Sequence, residues 1–566
     1  MNKTIERLLG LSTVPEDDEA FQSWLEQADA LSFLRDNASA NDAVVYAGLP
    51  HTFIHAVLVP EAALSPPDIP DLMSWNCNPY SSWGVVSSAS DVRIESPLYG
   101  SGSTTLASGE QLVFARSFEG VPERRSYIEI LQKFAHVSGI HHMPERRAWC
   151  RLDRRGDIED VVRVHHIVAR GDYWGGTVVT FDRHLLYEYA ALTRAALVWM
   201  FDFARLRLGH FEGWDPEREQ ELADGTGIFY RHSLQPGSAS YIRGVQIRPV
   251  ALSREAILEG MWESDRRPEK RYATFIAHDW KHNRIAEISC APSALANYFT
   301  DSGLPFETTP AFFHPEVLLK YKADREKYRL TDRSISCRGA WHLETYDIND
   351  AGQVHTYLVY LGRLPYEEQL HWKQYNEQPK GPISKRAFTT DFKGDYDREY
   401  DPLRSLKKKL RELRRGPAPW WTLRAEDLMD RCHYPVTAST EEWKEEILAL
   451  DQLIVEGFEP SWLRKKAKAL GRTPDPKFAS LKLIEQCLIG LGFEEDHARS
   501  ITSPLHEVHN LRSKLKGHAS GQTAQSIKSS SIAAHGSLRE HFKHLCQGCD
   551  EAMETIIEAF SDPRMA

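Results

Sequence analysis

The chain has 566 residues, which at ~100–200 residues per domain predicts about three or four domains. Hydrophobic residues make up 42%, charged residues 26% and aromatic residues 10%, with 15 Trp, which excludes a disordered chain. The formal net charge of −11 excludes a general polyanion binder, so any nucleic-acid contact has to come from a local basic patch.

The start, Met1-Asn2-Lys3-Thr4-Ile5-Glu6-Arg7, reads straight into a charged helix and has no signal-peptide pattern. Helix is expected over 5–37, followed by Ser-, Gly- and Pro-rich sequence with short strands such as 43–47 and 111–115. Residues 148–152 and 161–168 flank Arg154-Arg155-Gly156-Asp157 and read as a hairpin, with 176–181 as a further strand. The most apolar long segment, 185–208, carries Glu188, Arg194, Asp202, Arg205 and Arg207. A bilayer core would penalise those charges, so a buried helix of a soluble protein is expected there, not a membrane span.

A second β-rich block covers 226–362, with hairpins expected at 274–278/285–289 and 341–346/354–360. Leu403, Leu406, Leu410 and Leu413 then recur at helical spacing until Pro417-Ala418-Pro419. From 440 to 560 nearly everything reads as helix, with a possible break at Pro504 and a Ser-, Gly- and Gln-rich separator over 519–531. The expected class is a multidomain α+β protein. Its parts are an α+β region (1–225), a β-rich middle region (226–400), a basic linker helix with a Pro-rich connector (401–439) and an all-α bundle (440–566).

Several signatures are absent. Gly100-Ser101-Gly102-Ser103 lacks the Lys-Ser or Lys-Thr of a phosphate-binding loop, and no Gly-x-Ser-x-Gly elbow occurs. His506-Glu507-Val508-His509 lacks the i, i+4 His spacing of a zincin. Cys546 and Cys549 form a lone CxxC, more in keeping with core packing than with a four-ligand zinc site. No metal or other cofactor is expected.

The strongest candidate site lies in Leu505-His506-Glu507-Val508-His509-Asn510-Leu511-Arg512-Ser513-Lys514-Leu515-Lys516-Gly517-His518. Six helical steps put Arg512 and His518 on different faces, about 240° apart. Gly517 is suited to end the helix and let His518 fold back toward Arg512. An Arg fork binds phosphate and stabilises its transition-state charge, and a His near neutral pKa exchanges protons with a ribose 2′-OH or a leaving oxygen.

These residues resemble the Arg-x4–6-His motif of HEPN domains, small helical domains of prokaryotic toxins and abortive-infection proteins, many of them metal-independent ribonucleases. The resemblance covers the C-terminal helical part alone. It implies Arg512 and His518 as the catalytic pair, Glu507 and Asn510 as supporting polar groups, and a homodimer or higher oligomer in which two motifs face each other. Ser513 stands where catalytic members often carry Asn, Asp or His. The implied function is antiphage defence by an endoribonuclease, with RNA as substrate, the large N-terminal body as sensor of a phage-derived trigger, the cytoplasm as location, and no membrane partner.

Lys407, Lys408, Arg411, Arg414 and Arg415, with Lys514 and Lys516, are the candidate nucleic-acid-binding residues. A solvated face above the Leu stripe accounts for the linker-helix cations equally well. Residues 378–388 form a Pro-, Gly- and Lys-containing segment that reads as a binding loop or a structured linker. Two other readings stay open: a non-catalytic scaffold whose helical domain dimerises or recognises nucleotides or RNA, and an unrelated enzyme with its site around His278, Asp279 and Glu287.

Overall fold

The computed structural model describes residues 3–64, 72–77, 84–96, 98–99, 106, 109–118, 120, 125–168, 175–207, 210–250, 252–265, 270–395, 400–416, 418–516 and 521–565. The chain is α+β, with a β-rich N-terminal region and a helical C-terminal one. It divides into two compact units, Met1–Asp153 with Asp157–Glu269, and Arg154–Gly156 with Lys270–Ala566.

The first unit opens with α1 (Lys3–Gly10), α2 (Asp18–Leu25) and α3 (Ala28–Asn37). Asp17 caps α2 by accepting the Ala20 N–H at 2.8 Å. Its main sheet is built from β1 (Asp42–Leu49), β2 (Thr52–Pro60), β3 (His141–Met143), β4 (Ala148–Leu152), β5 (Ile158–Ile167) and β6 (Gly176–Asp182). After α4 (Arg183–Thr193) come β7 (Ala195–Leu206), β8 (Glu219–Ala223), β9 (Ile228–Gln235) and β10 (Ala239–Arg248). The strand order is β3-β4-β5-β6-β1-β2-β7-β10-β9-β8, with Glu110–Gln111 added to β2, and every neighbouring pair is antiparallel.

The expected helix over 185–208 is corrected. Helix α4 ends at Thr193, Arg194 adopts a left-handed conformation (φ 54°, ψ 44°), and Ala195–Leu206 becomes a central strand. Strand β7 lies between β2 and β10 and its first seven residues are buried on both faces, so its apolar run lacks the alternation of a half-exposed strand. The expected boundary at 225/226 also moves, because β9 and β10 extend the first sheet through β7.

The second unit holds β11 (Thr274–Asp279), β12 (Arg284–Ser289), β13 (Pro310–Phe313), β14 (Asp347–Ile348) and β15 (Val354–Tyr357), in the order β12-β11-β13-β15-β14, with Asn376–Glu377 also on β13. The hairpin at 274–289 is as expected. The one expected at 341–360 is not: Trp341–Leu343 pairs with Ile335–Cys337, β15 pairs with β14 and β13, and Leu358–Arg363 is helical.

The helical part comprises α5 (Pro402–Arg415), α6 (Thr440–Ile454), α7 (Pro460–Ala469), α8 (Ser480–Leu491), α9 (Glu495–Lys516), α10 (Gly521–His535) and α11 (Leu538–Phe560). Asp401, Ser439 and Ser537 cap α5, α6 and α11, and Pro402 and Pro460 sit at the first helical positions of α5 and α7. One core joins Trp443, Ile447 and Leu450 of α6, Leu505 and Val508 of α9, and Phe542, Cys546, Cys549 and Met553 of α11. Leu403, Leu406 and Leu410 of α5 belong to the same core, so 401–415 is part of the bundle and not a linker.

Helix α9 runs through Pro504 without a break. Gly548 of α11 faces that point: a Cβ there would lie 2.9 Å from the Pro504 Cβ, so glycine allows the two helices their close approach. The separator expected at 519–531 is helical from Gly521, because Ala524, Ile527 and Ile532 pack on the common core. Among the described residues no helix is long and apolar enough to cross a membrane.

Candidate functional site

On α9, three basic side chains recur at three-residue steps: His506, His509 and Arg512. At 100° per residue each step falls 60° short of a full turn, so the three form a slowly precessing stripe. Each meets a carboxylate from elsewhere in the bundle. His506 Nε2 is 3.0 Å from Glu485 Oε1 of α8. His509 Nδ1 is 3.0 Å from Asp451 Oδ1 of α6. Arg512 Nη1 is 3.0 Å from Asp451 Oδ2, and its Nη2 is 2.7 Å from Glu456 Oε1.

Asp451 is the centre of this arrangement. It is fully buried, whereas the His509 side chain is 42% and the Arg512 side chain 26% exposed. Burial pushes the Asp451 carboxyl above its ordinary value, against the pull of His509 and Arg512. The Arg512 contact is an ion pair without hydrogen-bond geometry, since Oδ2 has no directed donor. Asp451 therefore orients the imidazole through Nδ1 and neutralises part of the guanidinium charge. Glu485 shows the opposite balance. Its burial raises the pKa, but Lys482, His506 and Thr502 together hold it below the ordinary value.

His518, the second member of the expected pair, lies outside the described residues. Glu507 and Asn510 are exposed, and on the continuous α9 they point about 140–160° away from Arg512. The structure does not bring them to Arg512, and their place beside it is taken by His509 and Asp451. Ser513 and Lys514 are exposed, and the Lys516 side chain lies outside the described residues.

The cations of α5 separate into two groups. Lys407 is buried and donates to the Cys432 carbonyl at 2.6 Å, which removes it from any nucleic-acid surface. Arg414 is exposed and pairs with Glu426 at 2.6 Å. Lys408, Arg411 and Arg415 are exposed, and Lys408 has only a 4.0 Å contact with Glu412.

At the third candidate site, buried Asp279 closes its own turn by accepting from His282 Nδ1 (2.7 Å) and Arg284 Nε (3.3 Å). Residues 378–384 are pinned as a linker: Gln353 holds Gln378 and Lys380, and Asn349 holds Pro382. Cys546 and Cys549 are buried in the helical core. Among the described residues no group of three or more His, Cys, Asp and Glu is placed to hold a metal ion.

Sequence reasoning missed Asp451, Glu456 and Glu485. A signal existed for the first: Asp451 interrupts the apolar stripe of Ile447, Leu450 and Ile454, and a buried acid at such a position needs a basic partner. No protein-family model, curated protein or solved structure matches the chain.

Proposed function

We propose that the C-terminal helical part is a HEPN-like endoribonuclease working without a metal, with His509, Arg512 and Asp451 at its centre and His518 as the second proton-transfer group. The observation that carries this reading is the sharing of one buried carboxylate between an imidazole and a guanidinium that both reach solvent. With Nδ1 on Asp451, His509 Nε2 is the nitrogen left to take a proton from a ribose 2′-OH. The 2′ oxygen attacks the adjacent phosphorus and the 5′ oxygen leaves with a proton from the second group. Arg512 balances the charge of the five-coordinate phosphorus. The products are a 2′,3′-cyclic phosphate and a 5′-hydroxyl. Lys408, Arg411, Arg415 and Lys514 are exposed cations that would hold the RNA backbone, and a second copy of the chain would bring a second motif to the cleft. In this reading the N-terminal body senses a phage-derived trigger and the whole acts in antiphage defence.

One observation favours a second reading, a non-catalytic dimerisation or RNA-recognition domain. Asp451 and Glu456 together offset the Arg512 charge, as in a structural ion pair. The test incubates the full chain with cellular RNA in EDTA and compares wild type with Arg512→Ala, His509→Ala and His518→Ala. Loss of cleavage by ~10²-fold or more in each variant, with cyclic-phosphate ends in the wild-type products, supports the ribonuclease. Cleavage that survives all three substitutions overturns the site. Intact RNA with unchanged RNA affinity in Arg512→Ala supports the second reading.

A further inference from the structure

We propose that a cavity in the second unit, lined by Arg333, Arg386, Arg404 and Arg539, binds a phosphate group. The four arginines come from four separate segments: the turn after Tyr328–Leu330, the helical turn Lys385–Ala387, the first turn of α5, and the first turn of α11. Guanidinium groups stay charged at every physiological pH, and these four share the cavity with three carboxylates, Asp332, Asp347 and Asp401. The Arg333 pKa is lowered by partial desolvation and by the nearby Arg386, against the pull of Asp391 and Asp347.

The three carboxylates already have partners, that of Asp347 being Arg386 of the same lining. Asp347 accepts from Ser384 and from Arg386 Nε, the latter at 2.6 Å. Asp401 caps α5 through the Arg404 backbone N–H at 2.7 Å. Asp332 lies 3.8 Å from His433 Nδ1, and chiefly that imidazole holds its carboxyl down at about 2. Lys322, also in the lining, is bound to Glu442 and Glu446. The guanidinium groups of Arg333, Arg404 and Arg539 make no ion pair among the described residues. Arg539 has the Pro435 carbonyl at 3.2 Å and the face of Tyr434, both neutral.

Arg386 supplies a second, independent observation. Its Nε is on Asp347 and its Nη1 is 3.4 Å from Thr390 Oγ1, but Nη2 is buried without a hydrogen-bond partner. A buried guanidinium N–H with no acceptor is costly, and an oxyanion that displaced the side chains covering Nη2 would supply one of the right charge. The cavity measures about 110 Å³. That space holds several waters and so a tetrahedral phosphate, and the cavity opens to solvent, where a group attached to the phosphate can extend. The ligand is therefore free phosphate or the terminal phosphate of a monoester whose remainder stays outside. The site shares no residue with the Asp451 cluster and does not depend on the ribonuclease reading.

The test is calorimetric titration of the full chain in a phosphate- and sulfate-free buffer with inorganic phosphate, with AMP, and with adenosine as the phosphate-free control. Two variants accompany it. Arg333→Ala/Arg404→Ala alters two exposed side chains, and an unchanged melting curve without ligand certifies its fold. Arg386→Lys keeps the charge and removes the buried Nη2. Binding of phosphate or AMP but not adenosine, weakened about tenfold or more in both variants, supports the site. Stronger binding of phosphate identifies the free ion, and stronger binding of AMP the monoester. Absence of phosphate and AMP binding up to ~10 mM, or binding equal in wild type and both variants, overturns it.

Discussion

Arg512→Ala leaves the fully buried Asp451 with the His509 imidazole as its hydrogen-bond partner. Removing one member of a buried ion pair costs about 3–5 kcal/mol. Here about a quarter of the Arg512 side chain is exposed and the imidazole remains, so we expect about 2–3 kcal/mol. At about 2–4 °C per kcal/mol for a domain of 150–250 residues, the melting transition of the helical part falls by about 4–12 °C. The loss depends on pH. Burial already raises the Asp451 pKa, and without Arg512 it rises further. The folded state then holds a proton more tightly than the unfolded state. Stability therefore falls as pH rises above the unfolded value of about 4, and the deficit is larger near neutral pH than near pH ~5. Asp451→Asn/Arg512→Ala removes the stranded charge and recovers part of the loss. The assay is thermal and urea unfolding of the full chain at both pH values. A deficit under ~0.5 kcal/mol, or a double variant no more stable than Arg512→Ala, would refute the reasoning.

Three further outcomes are expected. Lys322→Met strands the buried Glu442 and Glu446 carboxylates and costs about 3–5 kcal/mol in urea unfolding, most of it regained in Lys322→Met/Glu442→Gln/Glu446→Gln. Burial holds His55, His355 and His541 down at about 4, so below the ordinary value of ~6.5 the unfolded state binds protons that the folded state refuses. Stability then falls between about pH 6.5 and 4, and His541→Phe makes the fall shallower; a flat profile for wild type contradicts this. Gly244→Ala on β10 would drive a Cβ into the Phe229 carbonyl oxygen and to 2.6 Å from the Tyr230 Cα. A sheet backbone cannot yield that much cheaply, so a loss of at least ~2 kcal/mol is expected, and a melting curve unchanged by the substitution would show that β9 and β10 are not so tightly opposed.

Much of the order along the chain was legible without coordinates. The hairpins at 148–167 and 274–289 combine β-rich runs with a short polar turn, and both are present. The Leu403–Leu406–Leu410 stripe showed which face of α5 would be buried, and the stretch 440–560 that reads as nearly all helix is largely helical. These features arise from interactions a few residues apart, which leave a periodic trace. The α9 polar run was legible in the same way, as a cluster of His, Arg and Asn with a Gly after it.

Long-range pairing leaves no such trace. Ala195 to Phe201 are apolar on both sides because both sheet faces are covered there, so periodicity could not tell this run from a buried helix. Residues 341–357 have strand-like composition, yet their partners are decided by which edges the sheet leaves open. The same holds for the candidate site. The residue types on α9 were determined by the sequence alone. Tertiary structure decided that His509 and Arg512 meet on Asp451, 58 and 61 positions away. It also turned Glu507 and Asn510 away from them and buried Lys407 against the Cys432 carbonyl. A charge in a core is tolerable only beside its partner, and that partner is chosen by helix packing rather than by proximity along the chain.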